Sequence, residues 1–238
     1  MRKFVLLTAA CLFAVFAMAQ TENKSSVSIS GDSDDNEVVV KQDIDGDDVN
    51  VSNVDIFDES DENEVKVNQQ GENLDSDVEI SYESSGNDVD VDQDGEDHDS
   101  DVLITEESMA NDVDITQEGE DNESDVTIAD DSWWNDVTVL QDGEDNESDV
   151  LVYTDSDLNT VDVDQDGDGL ESEVEIGILS DLNDVTISQD GEDHESSVFI
   201  FVDSNLNTVD VEQDGDYSTS DVEITFGSDG NTIEVEQQ

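Results

Sequence analysis

Hydrophobic and polar residues alternate along most of this chain in short segments that recur every 24 residues. In residues 87–93, Val89 and Val91 alternate with aspartates, and a second alternating set follows in residues 100–104. Successive side chains of a β-strand point to opposite faces, so each segment predicts a strand with one apolar and one polar face. The unit is therefore a strand, a turn, a returning strand and a second turn.

Asn, Gln and Gly hold fixed positions in this repeat. An Asn opens each unit and a Gln follows six residues later: Asn63, Gln69, Asn87, Gln93, Asn111, Gln117, Asn135, Gln141, Asn159, Gln165, Asn183, Gln189, Asn207, Gln213, Asn231 and Gln237. A turn glycine comes two residues after Gln, at Gly71, Gly95, Gly119, Gly143, Gly167, Gly191 and Gly215. A constant interval of this length is typical of a solenoid, whose units bury their apolar faces by stacking.

The fold class that these patterns predict is all-β. We expect a β-solenoid of about nine stacked rungs, roughly 40 Å long at a strand spacing of ~4.8 Å. The inward apolar positions are almost all Val or Ile, which suit a pleated packed surface, and the chain has no Pro to interrupt a ladder. Inward Asn and Gln should form ladders of side-chain amides in a cross-β-like core.

The two ends of the repeat predict self-assembly. Residues 25–29 match a second strand without a first strand, and residues 231–237 match a first strand without a second. The step from Asn36 to Asn63 is 27 residues, so an insertion lies in the first full unit. An uncovered strand edge is a template for another chain, and two copies joined head to tail would complete one rung.

The first 19 residues predict a secretory signal peptide. Arg2 and Lys3 precede an apolar run, and residues 17–19 are a small-residue cleavage signal. The alternative is a membrane anchor, for which the apolar run is short. Cys11, the only cysteine, falls inside the apolar run, so the mature chain would have no thiol. Residues 20–35 form a leader that includes the orphan strand, and residues 36–238 form the repeat solenoid.

The composition is strongly acidic. Removal of Arg2 and Lys3 takes the formal charge from −65 to −67 and leaves Lys24, Lys41 and Lys66. This charge disfavours nucleic acid and anionic membranes as partners. Low hydrophobicity with high net charge is also typical of disorder. The regular placement of Val and Ile favours an ordered solenoid over that alternative.

Stacking should align the turn carboxylates into an acidic ridge. Its two files are Asp94, Glu118, Asp142, Asp166, Asp190 and Asp214, and Glu96, Glu120, Glu144, Asp168 and Glu192. Their repulsion predicts raised pKa values, screening, or loosely bound cations such as Ca²⁺. Residues 162–173 match a calcium-loop pattern, but Asp162 and Asp164 are outward strand residues without flanking helices, so we expect no specific metal site.

Other side chains indicate no catalytic site. No nucleophile, base and orienting group recur together, so we predict that the protein is not an enzyme and needs no cofactor. His98 and His194 occupy equivalent turn positions and are expected to be exposed. Trp133 and Trp134 lie in a turn, and Phe199 and other apolar residues of the second strand point outward. These could form a lateral contact or be scattered surface residues.

The order of these residues resembles the curlin repeat of bacterial curli subunits. The spacing Asn87-x5-Gln93-x-Gly95 is similar to the first half of that repeat, and the resemblance covers residues 25–238. The second half differs, because Ser100 replaces the usual Asn and no regular second Gln follows Ile104. The resemblance implies an unusually acidic functional amyloid subunit of a biofilm matrix, with a dedicated outer-membrane export pore and a nucleator subunit as its partners.

The sequence thus predicts a secreted structural subunit that polymerises head to tail with itself into extracellular fibres. A monomeric acidic solenoid that binds cations or acts as an adhesin is the alternative. An ice-binding surface would need an aligned array of Thr, which the repeat does not provide.

Overall fold

The computed structural model describes residues 23–43 and 49–238, and every regular element within them is a β-strand. The predicted signal peptide, the start of the predicted leader and residues 44–48, which belong to the region of the insertion, lie outside the described residues. The strands are β1 (Lys24–Ile29), β2 (Glu37–Asp43), β3 (Val51–Ile56), β4 (Glu64–Glu72), β5 (Asp75–Ile80), β6 (Asp88–Glu96), β7 (Asp99–Ile104), β8 (Asp112–Glu120), β9 (Glu123–Ala129), β10 (Asp136–Glu144), β11 (Glu147–Tyr153), β12 (Thr160–Asp168), β13 (Glu171–Gly177), β14 (Asp184–Glu192), β15 (Glu195–Phe201), β16 (Thr208–Asp216), β17 (Thr219–Thr225) and β18 (Thr232–Gln237).

These strands form two parallel sheets of nine described strands each. The odd-numbered strands stack in chain order in one sheet, and the even-numbered strands stack in the other. From β4 onward each strand pairs with the strand one repeat later, so Val137 lies opposite Val161 and Gln141 opposite Gln165. The predicted β-solenoid of stacked 24-residue rungs is confirmed.

The core lies between the two sheets and consists of the inward Val and Ile residues. From Val54 to Ile224 each inward apolar strand residue is at most 5% exposed. Each side chain packs on its equivalents in the layers above and below, because the register is constant. Burial of such side chains contributes about 1.5–3 kcal/mol each and supplies most of the stability of the stack.

The predicted amide ladders are also confirmed. Gln117 Nε2 donates to Gln141 Oε1 at 2.9 Å, and Gln141 Nε2 donates to Gln165 Oε1 at 3.0 Å. On the opposite side of the core, Asn135 Oδ1 accepts from both the backbone N–H and Nδ2 of Asn159, at 3.0 and 3.1 Å. Each buried amide therefore satisfies its neighbour in the next layer, which removes the cost of burying polar groups.

The turn glycines lie near the ends of the first strands, before a two-residue connection. A Cβ on Gly119 would lie 2.0 Å from the carbonyl oxygen of Gly143, and Gly119 has a φ of 111°. Both the close approach of successive backbones and the positive φ require glycine here. The recurrent Gly is thus explained by the close stacking of successive backbones as well as by the conformation of the turn.

Candidate functional site: the two ends and the acidic surface

The stack of described strands begins and ends with half of a layer. Within the described residues, β1 has only β3 as its sheet neighbour and β18 has only β16. Val27 and Ile29 of β1, and Ile233 and Val235 of β18, are half-buried, whereas their interior equivalents are buried. The two half layers belong to different sheets, so β18 of one copy and β1 of another would together make one complete rung.

The Gln ladder is directional. Each Gln donates from Nε2 to the Oε1 of the Gln in the following layer, from the bond of Gln42 to Gln69 at 2.8 Å to that of Gln213 to Gln237 at 2.8 Å. Among the described residues, Gln42 Oε1 therefore accepts no ladder bond. Gln237 Nε2 donates one bond, to the carbonyl of Thr219 at 3.1 Å, and has a second N–H to give.

The Asn ladder is directional in the opposite sense. Asn63 donates its backbone N–H and Nδ2 to Asn36 Oδ1 at 2.8 and 3.1 Å, and the same pattern ends with Asn231 donating to Asn207 at 3.0 and 2.8 Å. At the C-terminal end, Asn231 Oδ1 is the acceptor that no following layer uses within the described chain. The N-terminal end presents the matching donors of Asn36.

The two ends also differ in charge. The lysines Lys24, Lys41 and Lys66 lie on β1, β2 and β4, all near the N-terminal end. Lys66 Nζ lies 2.7 Å from Glu64 and 3.8 Å from Asp88. The outward positions of β18, in contrast, include the exposed Glu234 and Glu236.

The acidic ridge is aligned as the sequence predicts. The register places Asp94 beside Glu118 and Glu96 beside Glu120, and both files continue through the later layers. In the part of the chain that the structure describes, no group of three or more acidic, His or Cys side chains is arranged to hold a metal ion. Asp162 and Asp164 are exposed residues of β12, and cation binding along the ridge stays a prediction.

Several carboxylates on the outward sheet faces, away from the ridge, have raised pKa values. Partial burial, reinforced by neighbouring acids, raises the pKa of Asp101 to about 6. The same causes raise the pKa of Asp125, one layer further on, to about 6. Asp99 and Asp114 shift in the same direction, again mainly through burial. Stacked acids on these faces therefore favour protonation in the folded state.

The prediction that the histidines are exposed is wrong. His98 and His194 are each 1% exposed and lie four layers apart in a buried file between the two strands of a layer. His98 Nδ1 accepts the backbone N–H of Asn122 at 3.2 Å, and His194 Nδ1 accepts that of Ser218 at 3.0 Å. In several other layers an Asn at this position makes the same bond, and in two layers a buried Leu occupies the position instead. Burial lowers the pKa of His98.

Two buried polar files were missed by the sequence analysis. One contains the histidines together with Asn50, Asn122 and Asn146, whose Oδ1 atoms accept the next layer's backbone N–H. The other is a serine three residues before each opening Asn: Ser60, Ser84, Ser108, Ser132, Ser156, Ser180, Ser204 and Ser228. Seven of these eight are buried, up to Ser204. The constant interval of the serines was the available signal.

The outward apolar residues lie at separate sites on the surface, one on β15 and one in a turn. Phe199 and Phe201 are half-buried on β15, with ring centroids 6.1 Å apart and nearly parallel planes. Trp133 and Trp134 lie in the second turn, 39% and 61% exposed. The indole N–H of Trp133 donates to the carbonyl of Glu107 at 2.8 Å.

No helical segment of the described residues is long and apolar enough to cross a membrane. Comparison of the chain with protein-family models, with curated proteins and with solved structures found no match.

Proposed function

We propose that this protein is a secreted structural subunit that stacks head to tail into extracellular fibres. The polarity of the two amide ladders carries the proposal. At a head-to-tail junction, the spare Nε2–H of Gln237 would meet Gln42 Oε1, and Asn36 would donate to Asn231 Oδ1. A junction between two like ends cannot extend either ladder, because each ladder presents donors at one end of the stack and acceptors at the other. Only one orientation continues the hydrogen bonding of the interior.

The half layers support the same orientation. Stacking would bring β1 of one copy against β17 of another and β2 against β18, because the odd and even strands belong to separate sheets. The half-buried Val27, Ile29, Ile233 and Val235 would become core residues. Burial of this apolar surface and pairing of two strand edges would drive association.

The outward charges support it as well. If the register of β16 and β18 continues into the next copy, Lys41 lies directly beside Glu236, and Glu37 lies beside Thr232. In the other sheet, Lys24 would lie beside Thr219 and Ser26 beside Asp221. Stacked acids inside the subunit repel by about 1 kcal/mol per pair even in water. At the four positions named above, the junction would not place two acids side by side.

Charge reversal at the junction tests the proposal. We expect Lys41→Glu and Glu236→Lys each to slow fibre elongation at least tenfold, because each places like charges side by side at the junction. The double variant should restore elongation, since it re-forms the pair in reverse. Glu212→Lys is the matched control, because Glu212 lies in the same outward file one layer inside. Elongation is measured by thioflavin fluorescence and electron microscopy of seeded samples.

Two results would count against the proposal. Elongation of both single variants at the control rate would mean that these ends do not meet. Absence of fibres from the unaltered protein at high salt, at low pH and with Ca²⁺ would instead favour the monomeric acidic solenoid that binds cations or acts as an adhesin.

The resemblance to the curlin repeat supports the wider role. It suggests a curli-like fibre of a biofilm matrix, with export through an outer-membrane pore and a possible nucleator subunit. The signal peptide predicted in residues 1–19 is consistent with this route.

A further inference from the structure

The second turn of each layer forms an edge of the solenoid that changes character along the molecule. We call it the serine edge, because each turn packs around one residue of the buried serine file. In the early layers it is mostly acidic, as in residues 58–62 and 106–107, whereas the later layers carry large apolar side chains. Four of these share one file and define the apolar stripe: Trp134, Leu158, Leu182 and Leu206, which are 61%, 49%, 48% and 60% exposed.

The backbone at the apolar stripe is poorly suited to such side chains. The four residues have φ values of 61°, 58°, 58° and 59°, in the left-handed region that favours Gly, Asn and Asp. Gly86 and Gly230 occupy the same file in other layers. The bulky side chains therefore make the backbone less favourable and remain exposed to water. Folding of the single chain does not explain them, which points to a contact with something else.

Neighbouring side chains widen the apolar stripe. Ile178, Leu179 and Phe226 lie on the same edge and are 39%, 46% and 80% exposed. Away from this edge the surface is dominated by carboxylates, so a macromolecule that approaches elsewhere meets negative charge first. This edge is where an equally acidic molecule could approach at the lowest electrostatic cost.

We propose that the apolar stripe binds the same stripe of a second copy, side by side and antiparallel, around a two-fold axis at Leu182. Parallel pairing would place the acids of the early layers, such as Glu106 and Glu107, opposite their own copies. Antiparallel pairing lets these acidic segments extend away from each other. It also sets Leu158 opposite Leu206, and Trp134 opposite Gly230, where open space surrounds the position of a Cβ.

The contact is small, so its strength depends on repetition. Five layers of one edge span roughly 20 Å, which buries less than the ~800 Å² per partner of a typical stable complex. Isolated copies would pair weakly. In a rod built from many copies the stripe recurs once per subunit, so several such contacts would act together against the repulsion of the acidic layers between them. The pairing does not require end-to-end stacking, so it can be tested separately.

Disulfide trapping detects the pairing and its orientation. The experiment uses the full chain with Cys11→Ser, so that an introduced Cys is the only thiol, and with Glu236→Lys to weaken end contacts. We expect Leu182→Cys to form a homodimer at least tenfold faster than Tyr217→Cys. Tyr217 is a suitable control because it is 73% exposed, has a φ of 61° and lies on the opposite edge. A mixture of Leu158→Cys and Leu206→Cys should give mainly the mixed dimer.

Different results would overturn the proposal. Preferential homodimers of both Leu158→Cys and Leu206→Cys would show parallel pairing. A trapping rate for Leu182→Cys equal to that of the control, at low and at high salt, would show that the apolar stripe does not meet itself. Monomers that co-sediment with uncharged phosphatidylcholine vesicles would assign the stripe to a lipid surface instead. Since Glu236→Lys is present throughout, none of these results depends on whether fibres form.

Discussion

The interior of this solenoid repeats almost without change, whereas its surface varies from layer to layer. Inward positions hold Val, Ile, Asn, Gln and Ser in constant files, and each contacts its own equivalent in the next layer. Outward positions in one file range from Lys41 through Asp92 and Leu140 to Glu236. Stacking thus constrains the interior at every layer. The outward residues can differ from layer to layer, as the three lysines near the N-terminal end and the apolar stripe do.

The largest effect should follow from breaking an interior file at a glycine. Gly119→Ala would place a Cβ 2.0 Å from the carbonyl oxygen of Gly143, and all three of the nearest atoms are backbone atoms of Gly143, which a side-chain rotation cannot move away. We expect a loss of more than about 4 kcal/mol in the free energy of unfolding. Gly215→Ala is the matched control, because its φ of 109° is similar but the nearest heavy atom to its Cβ would be 3.9 Å away. Urea unfolding distinguishes them, and equal losses would contradict the stacking explanation.

The next effect concerns the amide ladder. Gln141→Leu keeps the shape but removes the ladder bonds to Gln117 and Gln165, and it leaves Gln165 Oε1 and the carbonyl of Glu123 without the donor they share. We expect a loss of about 2–4 kcal/mol, since buried polar groups become unsatisfied. The exposed amide of Asn68, which donates to Asp92 at 2.9 Å, gives the surface comparison, and Asn68→Ala should cost less than about 1 kcal/mol. Similar costs at both sites in chemical unfolding would mean that the ladder adds no interior stability.

A smaller change in stability is expected when acids on the outward sheet faces are replaced. The pKa of Asp101 and of Asp125 is raised from 3.8 to about 6 by burial and by neighbouring acids. Below pH 3.8 both carboxyl groups are protonated in the folded and in the unfolded state. As the pH rises from there to about 6, the unfolded chain releases these protons first, so the folded state loses stability relative to it. Asp101→Asn with Asp125→Asn should therefore raise the melting temperature near pH 7 and change it little near pH 4. After allowance for solvent screening, the gain is about 1 kcal/mol per site. A gain that is largest at acid pH would have the wrong sign.

The smallest effect on stability comes from the buried His98, and its dependence on pH is opposite to that of the outward acids. Burial lowers the pKa of His98 below 6.5, so the unfolded chain takes up a proton first and stability is lost as pH falls through that range. Asp94, Asp97 and Asp121 lie near enough to oppose this shift in part. His98→Asn keeps an acceptor for Asn122 and removes the titration, so it should raise the melting temperature more near pH 5 than near pH 7. Thermal unfolding of both proteins across this range is the measurement, and parallel curves would contradict it.

The sequence predicted those parts of the fold that stacking repeats. Alternation placed Val89 and Val91 in the core, and the constant phase of Asn and Gln predicted both ladders. His98 was placed wrongly, because turn residues in acidic surroundings are usually exposed. Only the structure shows that this turn position points inward. The apolar stripe was not predicted either, because left-handed backbone at Leu158 and Leu182 cannot be inferred from alternation.

Cryo-electron microscopy of assembled filaments is the most direct test of head-to-tail stacking. We expect filaments with strands ~4.8 Å apart and one subunit every nine strand spacings, about 43 Å, with all subunits pointing the same way. Filaments in which successive subunits alternate in direction, or assemblies in which β1 and β18 do not meet, would contradict it.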